Sequence, residues 1–187
     1  MGESKRTING IIRRALAGAR PAGPPARIHA LVDPARDPAI NAELATPGLR
    51  SYCLYGADLP QVLVAVAPHL VPLVEGARFG HAFASRGRGR AWGVLVASHA
   101  PAEALAEHLT GLTRARLPDG RDVLFRYYDP RVLRRYLPTC TADELAHVFG
   151  PIEAFLIESA TGEQREYVRD DGKLVVREPH WELWADG

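Results

Sequence analysis

Residues 91–97 read Ala-Trp-Gly-Val-Leu-Val-Ala, a near-continuous apolar run of seven residues. A run of this length without polar alternation is typical of a strand that is buried on both faces. A helix is predicted to begin near Pro101, because Leu105, Leu109 and Leu112 recur at helical spacing and supply one apolar face. A buried strand followed by an amphipathic helix indicates a sheet that is covered by helices.

Two turn signals on the C-terminal side of this unit predict hairpins. Leu117-Pro118-Asp119-Gly120 has proline at the second turn position and glycine at the last, which predicts a hairpin within residues 114–128. Asp170-Asp171-Gly172 predicts a second hairpin, between strands at 166–169 and 173–177.

Helix signals stand between these hairpins. Asp129-Pro130 is typical of an N-cap followed by a first-turn proline. Thr141 opens the next helix, and Glu144 completes a capping box with it. Gly150-Pro151 ends this helix, and Ala154 to Ile157 is predicted to be a strand.

The N-terminal side of the apolar run is less regular. Ile28 to Val32 and Ser51 to Tyr55 have strand character. Asp37-Pro38 predicts a helix that runs to about Ala45. Three prolines between Leu59 and Val74 favour extended or edge segments over one long helix.

Strands alternate with helices in the centre of the chain, so the predicted class is α/β or α+β. We expect a single domain with a mixed β-sheet, short flanking helices and a C-terminal hairpin. Residues 1–26 are interpreted as a helix and a proline-rich linker, 27–158 as the main domain, and 159–187 as the hairpin and a tail. The helix would carry an apolar stripe of Ile8, Ile11, Ile12 and Leu16.

Composition excludes several classes of function. The 187 residues carry 23 basic and 22 acidic side chains, so the formal net charge is +1. Such a balance argues against a general nucleic-acid binder. No apolar stretch approaches the roughly 20 residues that span a bilayer, so we expect no membrane insertion. The two separated cysteines, Cys53 and Cys140, are typical of reduced thiols in the cytoplasm.

The motifs of common enzymes are missing from the sequence. Seven scattered histidines have no metal-ligand spacing, and no nucleophile-elbow motif is present, so no metal, cofactor or catalytic residue is predicted. The segment Ser85 to Arg90 is rich in glycine and arginine but lacks a phosphate-loop pattern, and is interpreted as a flexible basic loop. A small enzyme with a cryptic Cys–His or Arg–Asp site stays open as the alternative.

The densest group of charged and aromatic residues lies between Leu124 and Arg131. Strand alternation places Leu124 and Arg126 on one face, and Phe125 and Tyr127 on the other. Arg126 would then need a carboxylate partner near the core. Asp129 is expected to cap the next helix and to pair with Arg126 or Arg131.

The chain also resembles a bacterial family, the type VI secretion adaptor chaperones, from Ile28 to Glu158. Ordered pieces of sequence carry the resemblance. They are Ile28-His29-Ala30-Leu31-Val32-Asp33, Trp92 to Ser98, the helix with Leu105, His108 and Leu109, Leu117-Pro118-Asp119-Gly120, Val123 to Leu133, Leu137-Pro138-Thr139 and Phe149-Gly150-Pro151.

The resemblance implies a cytoplasmic, non-enzymatic adaptor that binds a type VI effector and helps to load it on the VgrG spike. It implies no cofactor, no small-molecule substrate, and no binding to nucleic acid or membrane. Candidate partner-binding residues are Arg126, Asp129 and Arg131 in the motif, with Trp181 and Trp184 in the tail, because arginine and aromatic side chains commonly anchor interfaces.

Overall fold

The computed structural model describes residues 26–56, 59–74, 76–117 and 119–179. The strands are β1 (Arg27–Val32), β2 (Tyr52–Cys53), β3 (His69–Pro72), β4 (Gly93–Ser98), β5 (Arg114–Arg116), β6 (Asp122–Leu124), β7 (Ile152–Glu158), β8 (Gln164–Asp170) and β9 (Lys173–Arg177). The helices are α1 (Ala39–Leu44), α2 (Gln61–Val64), α3 (Arg78–Arg86), α4 (Ala102–Gly111), α5 (Pro130–Tyr136), a 3-10 turn (Leu137–Thr139) and α6 (Ala142–Phe149).

Seven strands form one open sheet in the order β2-β3-β1-β4-β7-β8-β9, and β5 and β6 form a separate hairpin. The predicted class is confirmed, in its α+β form. The predicted mixed sheet is antiparallel at every strand pair that the structure describes. A mixed sheet implies some parallel neighbours, but here strands that run in the same direction, such as β1 and β2 or β3 and β4, are separated by an antiparallel strand.

Helices cover both faces of the sheet centre. On one face Leu31, Val94 and Val96 pack under α4, α5 and α6, with Leu105, Leu133 and Phe149 as helix contacts. On the other face the alternate β1 side chains Ile28, Ala30 and Val32, with Trp92, pack under α1 and α3. The helix contacts there are Ile40, Phe79 and Phe83. This double burial explains why residues 93–97 are apolar without alternation.

Several local predictions are confirmed. Thr141 and Glu144 form the capping box of α6, with both reciprocal hydrogen bonds present. The turn between β5 and β6 closes through the N–H of Gly120, which donates to the carbonyl of Leu117 at 2.9 Å. The second hairpin forms between β8 and β9, and it continues the main sheet because β8 pairs with β7.

Other expectations need correction. The first hairpin is shorter than residues 114–128, because Arg126 leaves the strand to turn toward β1. The proline-containing stretch holds the short helix α2 as well as β3, and β3 pairs with strands on both sides rather than lying at an edge. The predicted helix and linker at 1–26 fall, apart from Ala26, outside the described residues, as do Pro118, Trp181 and Trp184. Within the described ranges, no helix has the length and apolar character needed to cross a membrane.

Candidate functional site

One edge of the main sheet collects polar side chains. The register makes β1, β2 and β7 run in the same direction, so their C-terminal ends meet at this edge. Asp33 follows β1, Tyr55 follows β2, and Glu158 ends β7. The segment between β6 and α5 crosses this edge and adds Arg126, Tyr128 and Asp129, and the first turn of α5 adds Arg131. We call Asp33 and these four residues the arginine–aspartate site.

Asp33 is held by Arg126. The Asp33 side chain is 1% exposed, whereas that of Arg126 is 44% exposed, and the guanidinium Nη2 donates to Oδ2 of Asp33. The other carboxylate oxygen of Asp33 is buried without a hydrogen-bond partner among the described residues. This ion pair joins β1 to the start of α5 across 93 positions of sequence.

Asp129 has two roles at the start of α5. Its Oδ1 accepts a hydrogen bond from the backbone N–H of Arg131 at 2.9 Å, which confirms the predicted N-cap. The guanidinium of Arg131 also donates to both carboxylate oxygens, through Nε at 2.9 Å and Nη2 at 2.5 Å. Asp129 is 2% exposed, so its charge lies beneath the half-exposed guanidinium of Arg131.

Two tyrosines close the site on its inner side. The hydroxyls of Tyr55 and Tyr128 are 2.8 Å apart, and the Arg126 guanidinium lies 5.9 Å from the centre of the Tyr128 ring. Tyr127 is buried and donates its hydroxyl to the carbonyl of Leu109 at 2.5 Å. These contacts fix the segment between β6 and α5 on the core.

The environment fixes the protonation state of these groups. Burial alone would raise the pKa of Asp129, but the guanidinium and backbone N–H of Arg131 hold that pKa below its usual range. The hydrogen bond to Asp33 raises the pKa of Arg126. Burial, and then the hydrogen bond with Tyr55, raises the pKa of Tyr128 far above its usual value. None of these three pKa values moves toward neutrality, which a general acid or base would require.

The arrangement suits recognition better than proton transfer. The guanidinium groups of Arg126 and Arg131 each donate hydrogen bonds to a buried aspartate. Both arginine side chains remain 44% exposed to solvent. Guanidinium donors that are held in place are well suited to bind carboxylates. Among the described residues, no group of three or more histidine, cysteine, aspartate or glutamate side chains is placed to hold a metal ion.

The structure therefore brings together three of the five predicted site residues, Arg126, Asp129 and Arg131. Trp181 and Trp184 lie outside the described residues. The sequence offered two partners for Asp129, and the structure selects Arg131. Asp33 was missed as the partner of Arg126. The available signal was an acidic residue directly after a buried strand, a place where burial demands a counter-charge.

Comparison with known families identifies this part of the chain. A family model described as Domain of unknown function (DUF4123) matches residues 28–147. The chain belongs to the DUF4123 family. This family is associated with type VI secretion. No curated protein and no solved structure is significantly similar to the chain.

The whole arginine–aspartate site lies inside the DUF4123 match. The matched residues run from β1 into α6 and include both hairpin strands β5 and β6. The strands β7, β8 and β9 follow the match, yet β7 pairs with β4 in the same sheet. The DUF4123 sheet in this chain is thus extended by three further antiparallel strands.

The glycine- and arginine-rich segment of the DUF4123 domain is tied to acidic residues rather than free. Arg86 belongs to α3 and donates to Glu43 at 2.6 Å, and its guanidinium lies 5.5 Å from the centre of the Trp92 ring. The N–H of Gly89 donates to the side chain of Glu158 at 2.8 Å. These bonds argue for a structural role of residues 85–90 and correct the interpretation of a flexible loop.

The two cysteines of the DUF4123 domain have different surroundings. Cys140 donates to the carbonyl of Tyr136, and burial raises the pKa of its thiol, which disfavours a reactive thiolate. Cys53 lies directly opposite His69 in the β2–β3 register. His69 is buried, and its Nδ1 lies 2.9 Å from the carbonyl oxygen of Ala67.

Proposed function

We propose that this chain is a non-enzymatic cytoplasmic adaptor that binds a type VI secretion effector and assists its loading onto the VgrG spike. Membership of the DUF4123 family, with its association with type VI secretion, is the observation that carries the proposal. The resemblance of residues 117–133 to the adaptor chaperones supplies the more specific role.

The chemistry of the arginine–aspartate site supports a binding role. Asp129 is kept ionised, and Arg126 and Tyr128 are kept protonated, over a wide pH range. Groups that stay in one protonation state serve recognition and stability, whereas catalytic acids and bases need pKa values close to the working pH. We infer that Arg126 and Arg131 contact the partner with the guanidinium faces that their aspartates leave exposed.

Co-purification with two defined proteins tests this function. The effector and the C-terminal region of VgrG encoded beside the gene are co-expressed with the tagged chain, and complexes are measured by size-exclusion chromatography. The expected result is a stable complex with the effector and one with the spike region. Capture of neither protein by the folded chain would refute the adaptor role.

A matched pair of variants shows whether the site takes part. Arg131 and Arg86 are 44% and 47% exposed, and each lies over a carboxylate side chain that is 3% exposed. We expect Arg131→Gln to reduce capture of a partner, whereas Arg86→Gln, on the opposite face of the sheet, leaves capture unchanged.

The cross-strand pair Cys53 and His69 is the observation that favours the alternative, a small enzyme. Directly opposed residues in an antiparallel pair have Cβ atoms about 4.5–5.5 Å apart, so a thiol and an imidazole could meet there. Alkylation with iodoacetamide tests the idea. A thiolate activated by His69 would react fast near neutral pH, and His69→Gln would slow it. We expect Cys53 to react no faster than a free cysteine.

A further inference from the structure

The segment from Arg114 to Arg135 is strongly basic, although the whole chain is nearly neutral. It contains seven arginines and three aspartates, while the whole chain has a formal net charge of +1. The remainder of the chain therefore has a net negative charge. Six of the seven arginines are exposed, and Arg134 is half-buried. Overall composition thus conceals a local concentration of positive charge.

Hairpin register places much of this charge on one surface. Arg114 lies opposite Leu124, and Arg116 lies opposite Asp122, so these side chains share one face of the hairpin. Leu124 and Arg126 are exposed on this surface. The residues that alternate with them, Phe125 and Tyr127, face the other way and contact the core. The surface continues through Arg126 into the arginine–aspartate site. We call Arg114, Arg116, Leu124, Arg126 and Arg131 the arginine face.

The acidic groups at this face are paired or buried. Asp122 accepts two hydrogen bonds from the Arg116 guanidinium, at 2.8 and 3.1 Å. Asp33 and Asp129 lie beneath Arg126 and Arg131, with side chains 1% and 3% exposed. Asp122 is 57% exposed, and the hydrogen bonds from Arg116, and then the charge of Arg114, hold its pKa below the usual range. Arg114 is exposed and forms no salt bridge within 4 Å with any residue that the structure describes. The surface therefore presents a net positive charge to an approaching molecule.

The arginine face also carries an apolar side chain. Leu124 is 62% exposed and stands directly across the hairpin from Arg114. A single exposed leucine is ordinary on a protein surface. Here it supplies an apolar contact beside arginine, a residue type that is enriched at protein interfaces.

We propose that the arginine face docks an acidic segment of a partner protein. Its carboxylates contact Arg114 and the exposed guanidinium faces of Arg126 and Arg131, and one apolar side chain covers Leu124. Charge complementarity selects this occupant, because guanidinium groups bind carboxylates through paired hydrogen bonds. The inference rests on the proposed function only for the identity of the protein that supplies the segment.

A protein segment fits the arginine face better than a nucleic acid does. Single-stranded nucleic acids bind basic surfaces on which exposed aromatic side chains stack with the bases. The aromatic rings nearest this face are engaged with one another: Phe125 lies 4.6 Å from Tyr136 and 5.9 Å from Tyr127 between ring centres. Tyr127 and Tyr128 are buried, so neither offers its ring to a base.

Fluorescence anisotropy with labelled probes tests the proposal on the full chain. The probes are a peptide of alternating glutamate and leucine, the same peptide with glutamine in place of glutamate, and a single-stranded DNA. We expect binding of the glutamate peptide alone, weakened by added salt because exposed charges are screened. The Arg114→Glu variant should bind it at least about tenfold more weakly, since like charges then face each other.

Matched variants separate docking from stability. Arg114→Glu breaks no close salt bridge with a described residue and changes only a screened surface interaction with Asp122, so its melting temperature should fall only slightly. Leu124→Ser should also weaken the peptide complex. Arg169→Glu reverses another exposed arginine, on β8, and should leave binding unchanged. Equal binding by Arg114→Glu and the wild type, equal binding of the two peptides, or binding of the DNA alone would each overturn the proposal.

These outcomes are distinct from those that test the adaptor role. If the wild-type chain captures neither the effector nor the spike but binds the glutamate peptide through Arg114, the adaptor role fails and the acidic docking surface stands. If it captures both proteins and Arg114→Glu leaves peptide binding unchanged, the adaptor role stands and the docking surface fails.

Discussion

Two Asp-Pro pairs start helices on opposite faces of the sheet and use their carboxylates differently. Asp37 precedes α1, and its Oδ1 accepts the N–H of Ala39 at 2.9 Å. Asp129 precedes α5 and accepts the N–H of Arg131 at the same distance. The second oxygen of Asp37 accepts the indole N–H of buried Trp92 at 2.8 Å, whereas that of Asp129 holds the guanidinium of Arg131.

The buried carboxylates near these helices differ in the number of arginines that hold them. Glu43, on the α1 side, is held by Arg78 at 3.2 Å and Arg86 at 2.6 Å. Asp33, on the α5 side, is held by Arg126. The arginine side chains reach solvent on both sides, since Arg78 and Arg86 are 73% and 47% exposed and Arg126 is 44% exposed. The two sides therefore differ in how many counter-charges support each buried carboxylate, and not in how much arginine they present to solvent.

The largest expected effect comes from removing the arginine above a singly held carboxylate. Arg126→Met keeps most of the apolar stem but leaves Asp33 buried without its counter-charge, which should lower the free energy of unfolding by about 3 kcal/mol. Arg78→Met leaves Glu43 paired with Arg86 and should cost under about 1 kcal/mol. Urea denaturation of both variants measures the difference.

A double variant checks the cause of this loss. Asp33→Asn combined with Arg126→Met removes both charges, so it should recover part of the stability that Arg126→Met loses. Equal losses for Arg126→Met and Arg78→Met would show that the number of arginine partners does not distinguish the two sides.

The two aspartates that precede α1 and α5 should differ next. Asp37 stands before Pro38, the N-cap residue of α1. Asp37→Ala removes the acceptor of the Ala39 N–H and leaves the buried indole N–H of Trp92 without its acceptor, at a cost of about 2–3 kcal/mol. Asp129→Ala removes a cap but frees a guanidinium that water can reach, so about 1 kcal/mol is expected. Thermal and urea unfolding give both values. A larger loss for Asp129→Ala would mean that Arg131 depends on its aspartate more than its exposure suggests.

The helix starts were predictable because their causes are local. Asp129 and the Thr141–Glu144 box act within three residues, and strand 93–98 follows from its own apolar run. The position of Asp33 after a buried strand indicated a need for a counter-charge, but its pairing with Arg126 was not predictable, because the two lie 93 positions apart and only the sheet topology brings them together. The basic loop was misread for the same reason: Glu43 and Glu158, which hold Arg86 and Gly89, are distant in sequence.

Each face of the sheet also buries one histidine, so acid should weaken both sides. Strand alternation places His29 on the α4–α6 face and His69 on the α1 face. Burial lowers the pKa of each below the ordinary 6.5. The unfolded chain then binds more protons than the folded chain below pH 6.5, so stability is full above that pH and falls as the pH decreases.

Urea denaturation at several pH values measures this slope. His29→Gln and His69→Gln should each flatten it by a similar amount, because each removes one buried titrating group. If only one variant changes the slope, the proton uptake on unfolding belongs to one face of the sheet.

The smallest expected difference concerns the arginines that the two aspartates hold. Arg90→Ala removes a 3.3 Å contact with Asp37, which keeps the N–H groups of Ala39 and Trp92, so a change below about 0.5 kcal/mol is expected. Arg131→Ala leaves the nearly buried carboxylate of Asp129 with only the backbone N–H of residue 131 as a donor, and should cost about 1 kcal/mol.

Acid titration of the same two variants sharpens the contrast. The pKa of Asp129 should rise in Arg131→Ala, because the guanidinium no longer opposes the effect of burial, whereas the pKa of Asp37 should scarcely change in Arg90→Ala. NMR titration of the carboxylates measures both. An unchanged Asp129 pKa in Arg131→Ala would mean that the helix-capping N–H, and not the guanidinium, keeps that carboxylate ionised, and Arg131 would then be free to leave Asp129 for a partner.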